Sequence, residues 1–519
     1  MFGALFWKEI REHLMTFRFG TALVTTFVLV AVSVWMLGND YTHRLNTYNT
    51  LSENYQQELR GIWVPSQAVP KISYPPSPLS IFAQGDQRRF GNFAEIQRWE
   101  VPRKVKEGLT NNELLQSVQP FDLLTIFTFV VSLFGVLFSY DSISGERERG
   151  TLKMMCTGNT RRGSIIAAKF LALTTVLAVP FLISLLSGLI ILQFVLNIGF
   201  GAEQWLAIAL MVIAGLLYGA IFVATGMLFS ALVRRSSTAL ITALLFWMFG
   251  VFLIPAAGAR FAESVIPIDP STEIKKYEDT SKEELTNKCR EYARSSYPGS
   301  FETTVWGHMD YEAGGPVTVF YDGNPNAFLW ASLFISHAEP LWQRRAEEIW
   351  NIAQQQNTSK KQQADLAAAL SSISPAFNLR MVYTRLADTD FIQHSRFLDN
   401  ARRYRHTFLN NFEAKGYFGK NVIKFFSRRD PEELTDEKYE ARKAEYRRLW
   451  ETDRDWFDMS STRNWDALER LPDDLIPPFQ FSGNRSDYSS VLQPLIFLFV
   501  MVAIAFSAGF AAFIRYDVR

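Results

Sequence analysis

The chain has 519 residues, 48% of them hydrophobic and 43 of them Phe, with a formal net charge of +1. That length accommodates more than one domain, and the apolar content exceeds what a soluble enzyme usually carries. A near-neutral balance with no basic cluster interleaved with aromatics argues against polyanion binding and excludes nucleic acid as the expected partner.

The apolar residues fall in runs, and the stretches between them read like ordinary soluble protein. Residues 1–18 alternate Phe2, Leu5, Phe6, Ile10, Leu14 and Phe17 with Lys8, Glu9, Arg11 and Glu12 at helical spacing, the pattern of an interfacial helix lying on a membrane. No small-residue cleavage site follows, which disfavours a signal peptide. Residues 19–37 then supply about the 20 apolar positions that one crossing needs. Residues 39–119 turn polar and rich in Pro, Asn and Gln; the prolines forbid a long helix, and short strands suit the Val, Ile, Trp and Phe pieces around them.

A second span is predicted at 121–140, followed by a charged loop at 141–164. The third, 165–196, exceeds one crossing and carries Pro180 in its middle, so a tilt or kink is expected. After a turn at 199–204 come a fourth span at 205–233, closed by Arg234 and Arg235, and a fifth at 238–257. Residues 258–488 have mixed charge and helical patterns at 342–356, 360–370, 377–412 and 431–456, the last with Asp430 placed to cap and Pro431 at its first position. The apolar piece 327–335 is too short to span and reads as core. A sixth span, 491–514, leads to the tail 515–519.

Cytoplasmic loops carry an excess of Lys and Arg. Lys8, Arg11, Arg18, Arg147 to Lys169, Arg234, Arg235, Arg515 and Arg519 fall on one set of loops; Arg260 and Arg485 are almost all that the other set offers near its span ends. Both termini are therefore expected in the cytoplasm and both long polar segments outside, as one composite domain. The fold class that follows is an α-helical polytopic membrane protein: six transmembrane helices, an N-terminal interfacial helix, and a mixed α/β, largely helical extracytoplasmic domain built from two insertions. Cys156 and Cys289 then lie on opposite sides and cannot pair within the chain; Cys289 is expected as a buried free thiol.

The loop 141–164 holds Glu146, Arg147, Glu148, Arg149, Lys153, Arg161 and Arg162 within a short span. The acids and arginines can form a charged face, Gly150 breaks it, and Thr151 can cap a second short helix through Leu152, Lys153, Met154 and Met155. Such a segment serves either as a docking surface for a cytosolic partner or as a solvated connector whose charges enforce topology. The run DSISGERERGTLK, with Arg161 following and Lys169 opening the third span, resembles the signature of ABC-2 type permeases, the membrane subunits of ATP-binding-cassette transporters. The resemblance implies that Glu146, Arg147, Glu148, Arg149, Gly150, Thr151, Leu152, Lys153 and Arg161 dock a cytosolic ABC ATPase. That family commonly has Pro just before the Arg, where this chain has Gly158-Asn159-Thr160. PPSPLSIFAQG at 75–85 and the run 374–404 are similar to the subgroup with a large extracytoplasmic insert, as in bacterial gliding and copper-enzyme maturation systems.

The resemblance further implies two ATPase copies per complex, a second permease chain as homo- or heterodimer, an extracytoplasmic partner, contact with membrane lipids, and a bacterial cytoplasmic (inner) membrane location. No cofactor is expected in this chain, with ATP and Mg on the partner ATPase. The residues agree: the phosphate-cradling G-x-x-x-x-G-K-[ST] is absent, as are H-E-x-x-H, C-x-x-C and G-x-S-x-G. Asp390 and His394 stand at i,i+4 on a predicted helix, two ligands and too few for a metal. Span interiors are nearly free of charge, with Asp122 at the outer end of the second, which favours a hydrophobic, lipid-like or polymeric cargo, or none, over a small ion. Gly215, Gly219 and Gly226, with Ser184, Ser187 and Gly188, allow close helix packing. The expected function is an ABC permease subunit for export or for mechanical signalling across the membrane. The alternative is an extracytoplasmic enzyme or binding protein anchored by the bundle.

Overall fold

A computed structural model describes residues 2–60, 68–85, 91–102, 121–152, 161–268, 272–296, 325–414, 475–481 and 488–515. Among the described residues, six helices are long and apolar enough to cross a bilayer. The protein is an α-helical polytopic membrane protein preceded by a surface helix.

The elements run in this order. Helix α1 is Phe2–Leu14 and α2 is Phe17–Arg60. Strands β1 (Lys71–Ser73) and β2 (Phe93–Glu95) pair antiparallel, Ile72 opposite Ala94. Helix α3 covers residues 123–139 and carries a π turn at Phe127–Val131; α4 is the short Ser144–Glu148. Helix α5 is Arg162–Val195, ending in a π turn at Ile191–Val195, and α6 is Ala202–Leu232. Helix α7 is Ser236–Val265, with a π turn at Phe249–Leu253. Then come α8 (Thr272–Ser296), α9 (Pro325–Ser371), α10 (Pro375–Leu386), α11 (Phe391–Ala414) and α12 (Ser489–Ile514).

Small residues set the bundle's close contacts, since packing rather than hydrophobicity holds helices together in lipid. Gly188 of α5 lies against Val30 and Val34 of α2, and a Cβ on Gly215 would fall 2.5 Å from the Phe127 ring. Ser184 donates to Thr26 across the α2–α5 contact at 3.2 Å. Phe127 meets Phe181 edge-on with centroids 4.0 Å apart. Tyr218 donates to the Thr128 carbonyl and Trp247 Nε1 to Ser132 Oγ. Pro180 sits inside α5, and the Ser184 hydroxyl bonds back to its carbonyl at 2.6 Å.

The two polar segments form one unit at the end of the bundle opposite α4. Helix α11 buries Phe397, Ala401, Arg405, Phe408 and Phe412 at spacings of three and four, the stripe of an amphipathic helix. They pack with Ile72, Tyr74, Ala94 and Ile96 of the first segment and Leu475 of the second. Arg405 clamps the seam, donating to the carbonyls of Gln97 and Arg98 and to Gln343 Oε1.

Four expectations need correction. The first span does not end its helix at 37: α2 continues through polar residues to Arg60, because the helix-breaking prolines lie beyond that point. Patterns 342–356 and 360–370 are one helix, α9. The pattern 377–412 is two helices, broken where Asp388 takes φ 54° and Thr389 bonds back to the Thr384 carbonyl. Helix α10, expected in the outer domain, instead packs among α3, α6, α7 and α12. Ser374 caps it by accepting from the Phe377 N–H, donates to the Gly250 carbonyl of α7, and is followed by Pro375 in the first turn. Its buried face of Leu379, Val382, Tyr383 and Leu386 belongs to the bundle core. The predicted helix 431–456 and the side chains of 327–335 lie outside the described set.

Candidate functional site

Helix α3 ends at Ser139, and the chain makes one turn before α4. That turn is nailed to the junction of α6 and α7. Ser230 Oγ accepts from the backbone N–H groups of Ile143 at 3.0 Å and Ser144 at 2.9 Å. Arg147 donates to the carbonyls of Ala231 and Val233, orphan acceptors at a helix C-terminus that a cation suits well. On the far side of that junction, Glu148 accepts from the N–H of Ser236 at 2.9 Å and from its hydroxyl at 2.8 Å, an acid at the N-terminus of α7. Gly150, at φ 75°, ends the turn of helix in the left-handed conformation that glycine adopts without a Cβ clash.

Glu146 points the other way. Its side chain is 9% exposed, and Oε1 accepts from Lys169 Nζ at 2.7 Å. Lys169, 2% exposed on α5, also donates to Glu9 Oε1 of α1 at 2.7 Å. His13 Nε2 stands 4.0 Å from the other Glu9 oxygen; burial, against the pull of Glu9, lowers its pKa from the ordinary 6.5 and favours the neutral ring. One ammonium thus serves two buried carboxylates, each bonded through a single oxygen, while Glu146 Oε2 is buried without a hydrogen-bond partner. Nearby, Arg18 at the start of α2 donates to Asp141 Oδ2 at 2.9 Å, to the Tyr140 hydroxyl and to the Leu137 carbonyl.

The predicted docking residues therefore divide. Glu148, Arg149, Gly150 and Thr151 are exposed together, and Arg161 is exposed at the start of α5. Arg149 Nε donates to the Gly145 carbonyl, and Thr151 bonds back to the Glu146 carbonyl. Leu152 is buried. Glu146 is a correction: its carboxylate is committed to Lys169 and does not face outward, because the five-residue helix turns it toward the bundle. Arg147 likewise spends its guanidinium on internal carbonyls. Lys153, Met154, Met155 and Cys156 lie outside the described residues.

Glu9 was missed by the sequence reading, although a signal exists. It sits on the α1 face formed by Phe6, Ile10 and His13, and an acid within an apolar stripe needs a buried partner. Elsewhere, Asp390 does not share a helix with His394. It precedes α11 and accepts from the Gln393 N–H, and among the described residues no group of three metal-ligating side chains occurs. Cys289 is a buried free thiol whose pKa burial pushes up to about 11.

Comparison with known proteins agrees with this geometry. The model of the ABC-2 family transporter protein matches residues 3–293, and a domain of unknown function (DUF3526) matches 326–449. The chain is 33% identical over 132 residues to a probable ABC transporter permease protein NosY of Stutzerimonas stutzeri, covering 25% of this chain and 48% of that relative. It is 34% identical over 136 residues to the protein of the same description from Pseudomonas aeruginosa, covering 26% and 49%. The chain spans about half the length of these curated relatives. With the family pattern running through the surface helix, the loop and five of the six spans, the chain belongs to the ABC-2 family of transporter proteins.

Proposed function

We propose that this chain is the permease subunit of an ABC transporter, driven by a separate cytosolic ATPase that docks at the loop end of the bundle. The observation that carries the reading is the exposed ridge Glu148, Arg149, Gly150 and Thr151, set on a turn that is bonded internally to α5, α6 and α7. A surface so anchored passes an applied force to three spans at once. The Lys and Arg residues gathered at this end support its cytoplasmic placement. Two ATPase copies and a second permease chain complete the assembly.

The work reaches the opposite end through α10. This helix belongs to the segment that builds the outer unit, yet it is bonded to α6 and α7, so a shift of those spans moves the unit with them. Mechanical delivery to an extracytoplasmic partner is thereby favoured over passage of a cargo. The same shared helix disfavours an enzyme merely anchored by the bundle, since an anchor needs no element of the working domain inside it.

Affinity purification of the full-length chain from its native membranes tests the docking. The ATPase subunit is expected to copurify with the unaltered chain and to be lost with Glu148→Lys combined with Thr151→Glu. Equal recovery with both chains overturns the docking role.

A further inference from the structure

We propose that Lys169 is a positioning residue that fastens the N-terminal surface helix to the docking loop, so that α1 is a moving part of the coupling unit. The inference rests on the docking reading and adds to it a second route for the force.

Helix α1 is joined to α2 by only two residues, Met15 and Thr16. Yet it packs chiefly on α5 and hardly on α2. Ile10, with Leu5 and Phe6 beside it, packs α1 into the bundle core, and a polar tie is added to that packing. Lys169 Nζ holds Glu9 of α1 at 2.7 Å and Glu146 of α4 at 2.7 Å, so one ammonium ties the surface helix, the third span and the docking helix at a single point. In these surroundings the ions find no water to replace a lost partner, so separating them is costly and the three elements shift together. The second tie lies just past the hinge, where Arg18 grips Asp141 and Tyr140 beside α4. Both ends of the hinge are thus held to the segment that carries the docking ridge.

The outward face of α1 gives that shift something to act on. Trp7 is 68% exposed and Leu14 42%, beside Lys8 and Arg11, which are exposed too. Apolar and basic side chains together suit the boundary between lipid headgroups and acyl chains. A movement of α4 transmitted through Lys169 therefore presses α1 against the bilayer surface.

Hydrogen exchange on the full complex of permease and ATPase, without nucleotide and with magnesium and a non-hydrolysable ATP analogue, tests this. In the unaltered complex and in Lys169→Arg, exchange in residues 2–14 is expected to differ by about threefold or more between the two states. In Lys169→Met that difference disappears, while the ATPase still copurifies and residues 141–149 still respond. Glu9→Leu, which removes the acceptor and leaves the Lys169 to Glu146 pair in place, is expected to uncouple α1 in the same way and serves if Lys169→Met does not fold. An α1 that ignores nucleotide in the unaltered complex while 141–149 responds overturns the proposal and spares the docking. An α1 response that survives in Glu9→Leu overturns it as well. Failure of the ATPase to copurify with the unaltered chain removes the docking reading, and the proposal with it.

Discussion

The hydroxyl of Tyr383 donates to the backbone carbonyl of Met211 at 3.1 Å, although the two residues are 172 positions apart in the chain. A side chain of α10 thereby ends on the backbone of α6 inside the bundle, where both residues are buried. Tyr383→Phe keeps the ring and loses the bond, a cost of about 1 kcal/mol. Tyr383→Ala also empties the space beside Phe127, for a total of about 3–5 kcal/mol. Thermal unfolding of the purified protein in detergent reads both, and an alanine variant as stable as the parent would show that α10 is not seated in the core.

Close approach of α3 and α6 gives a second prediction. A Cβ on Gly226 would overlap Ser139 Oγ, and that hydroxyl is fixed by bonds to the carbonyls of Gly135 and Val136. Gly226→Ala therefore forces the helices apart or breaks those bonds, for about 1–3 kcal/mol. Gly20 on α2 has nothing within 4 Å of its missing Cβ; Gly20→Ala is expected to be neutral or to stabilise by up to about 1 kcal/mol. Equal melting temperatures for the two variants would contradict the contact.

What could be read in the sequence was whatever a run of residues says about itself. The six spans announce themselves by length and apolarity, and the loop 141–164 by charge that lipid does not tolerate. Orientation of a side chain within a five-residue helix is different. Glu146 and Glu148 are two positions apart and chemically alike, yet one meets Lys169 and the other Ser236, and only the folded bundle decides which. Helix α10 was misplaced for a related reason: its stripe of Leu379, Val382, Tyr383 and Leu386 suits a soluble core or a seat between spans equally well. The extension of α2 past residue 37 was hidden because hydropathy marks where lipid ends, and a helix continues in water as long as nothing breaks it.

Arg405 supplies a third prediction, on the seam between the two polar segments. It is fully buried, with Nη2 at 2.7 Å from both the Arg98 carbonyl and Gln343 Oε1, Nε at 3.2 Å from the Gln97 carbonyl, and Nη1 at 3.4 Å from Glu347. Burial pulls its pKa down to about 10, which leaves it charged at pH 7. Arg405→Ala removes a donor from four acceptors; the Arg98 carbonyl keeps Gln343 Nε2 and Glu347 keeps Arg402, while the Gln97 carbonyl and Gln343 Oε1 lose theirs, for an expected cost of about 3 kcal/mol. Lysine lacks the planar fork and recovers only part of it. Limited proteolysis is the sensitive measurement: residues 91–102 become cleavable in the alanine variant, before any cut appears in the spans. Protection equal to that of the parent would mean that apolar packing alone holds the seam.

The turn between α10 and α11 makes stability depend on pH in an unusual direction. Burial pushes the Asp388 carboxyl up from 3.8 to about 6, the Asp390 carboxylate adds to the push, and Arg396 opposes it. Below about pH 4 the group is protonated in both folded and unfolded chains and costs nothing. Between about pH 4 and 6 the unfolded chain ionises first, so the folded state loses ground as pH rises; above about pH 6 the loss is complete at about 3 kcal/mol. Asp388→Asn removes the titration and tolerates the positive φ as well as Asp does. The variant is therefore expected to match the parent near pH 4 and to exceed it by up to about 3 kcal/mol at pH 7.5. Unfolding both proteins at the two pH values isolates this group from the other acids, since only the difference between them is compared. A difference that stays constant with pH would place the Asp388 carboxyl in water rather than in the turn.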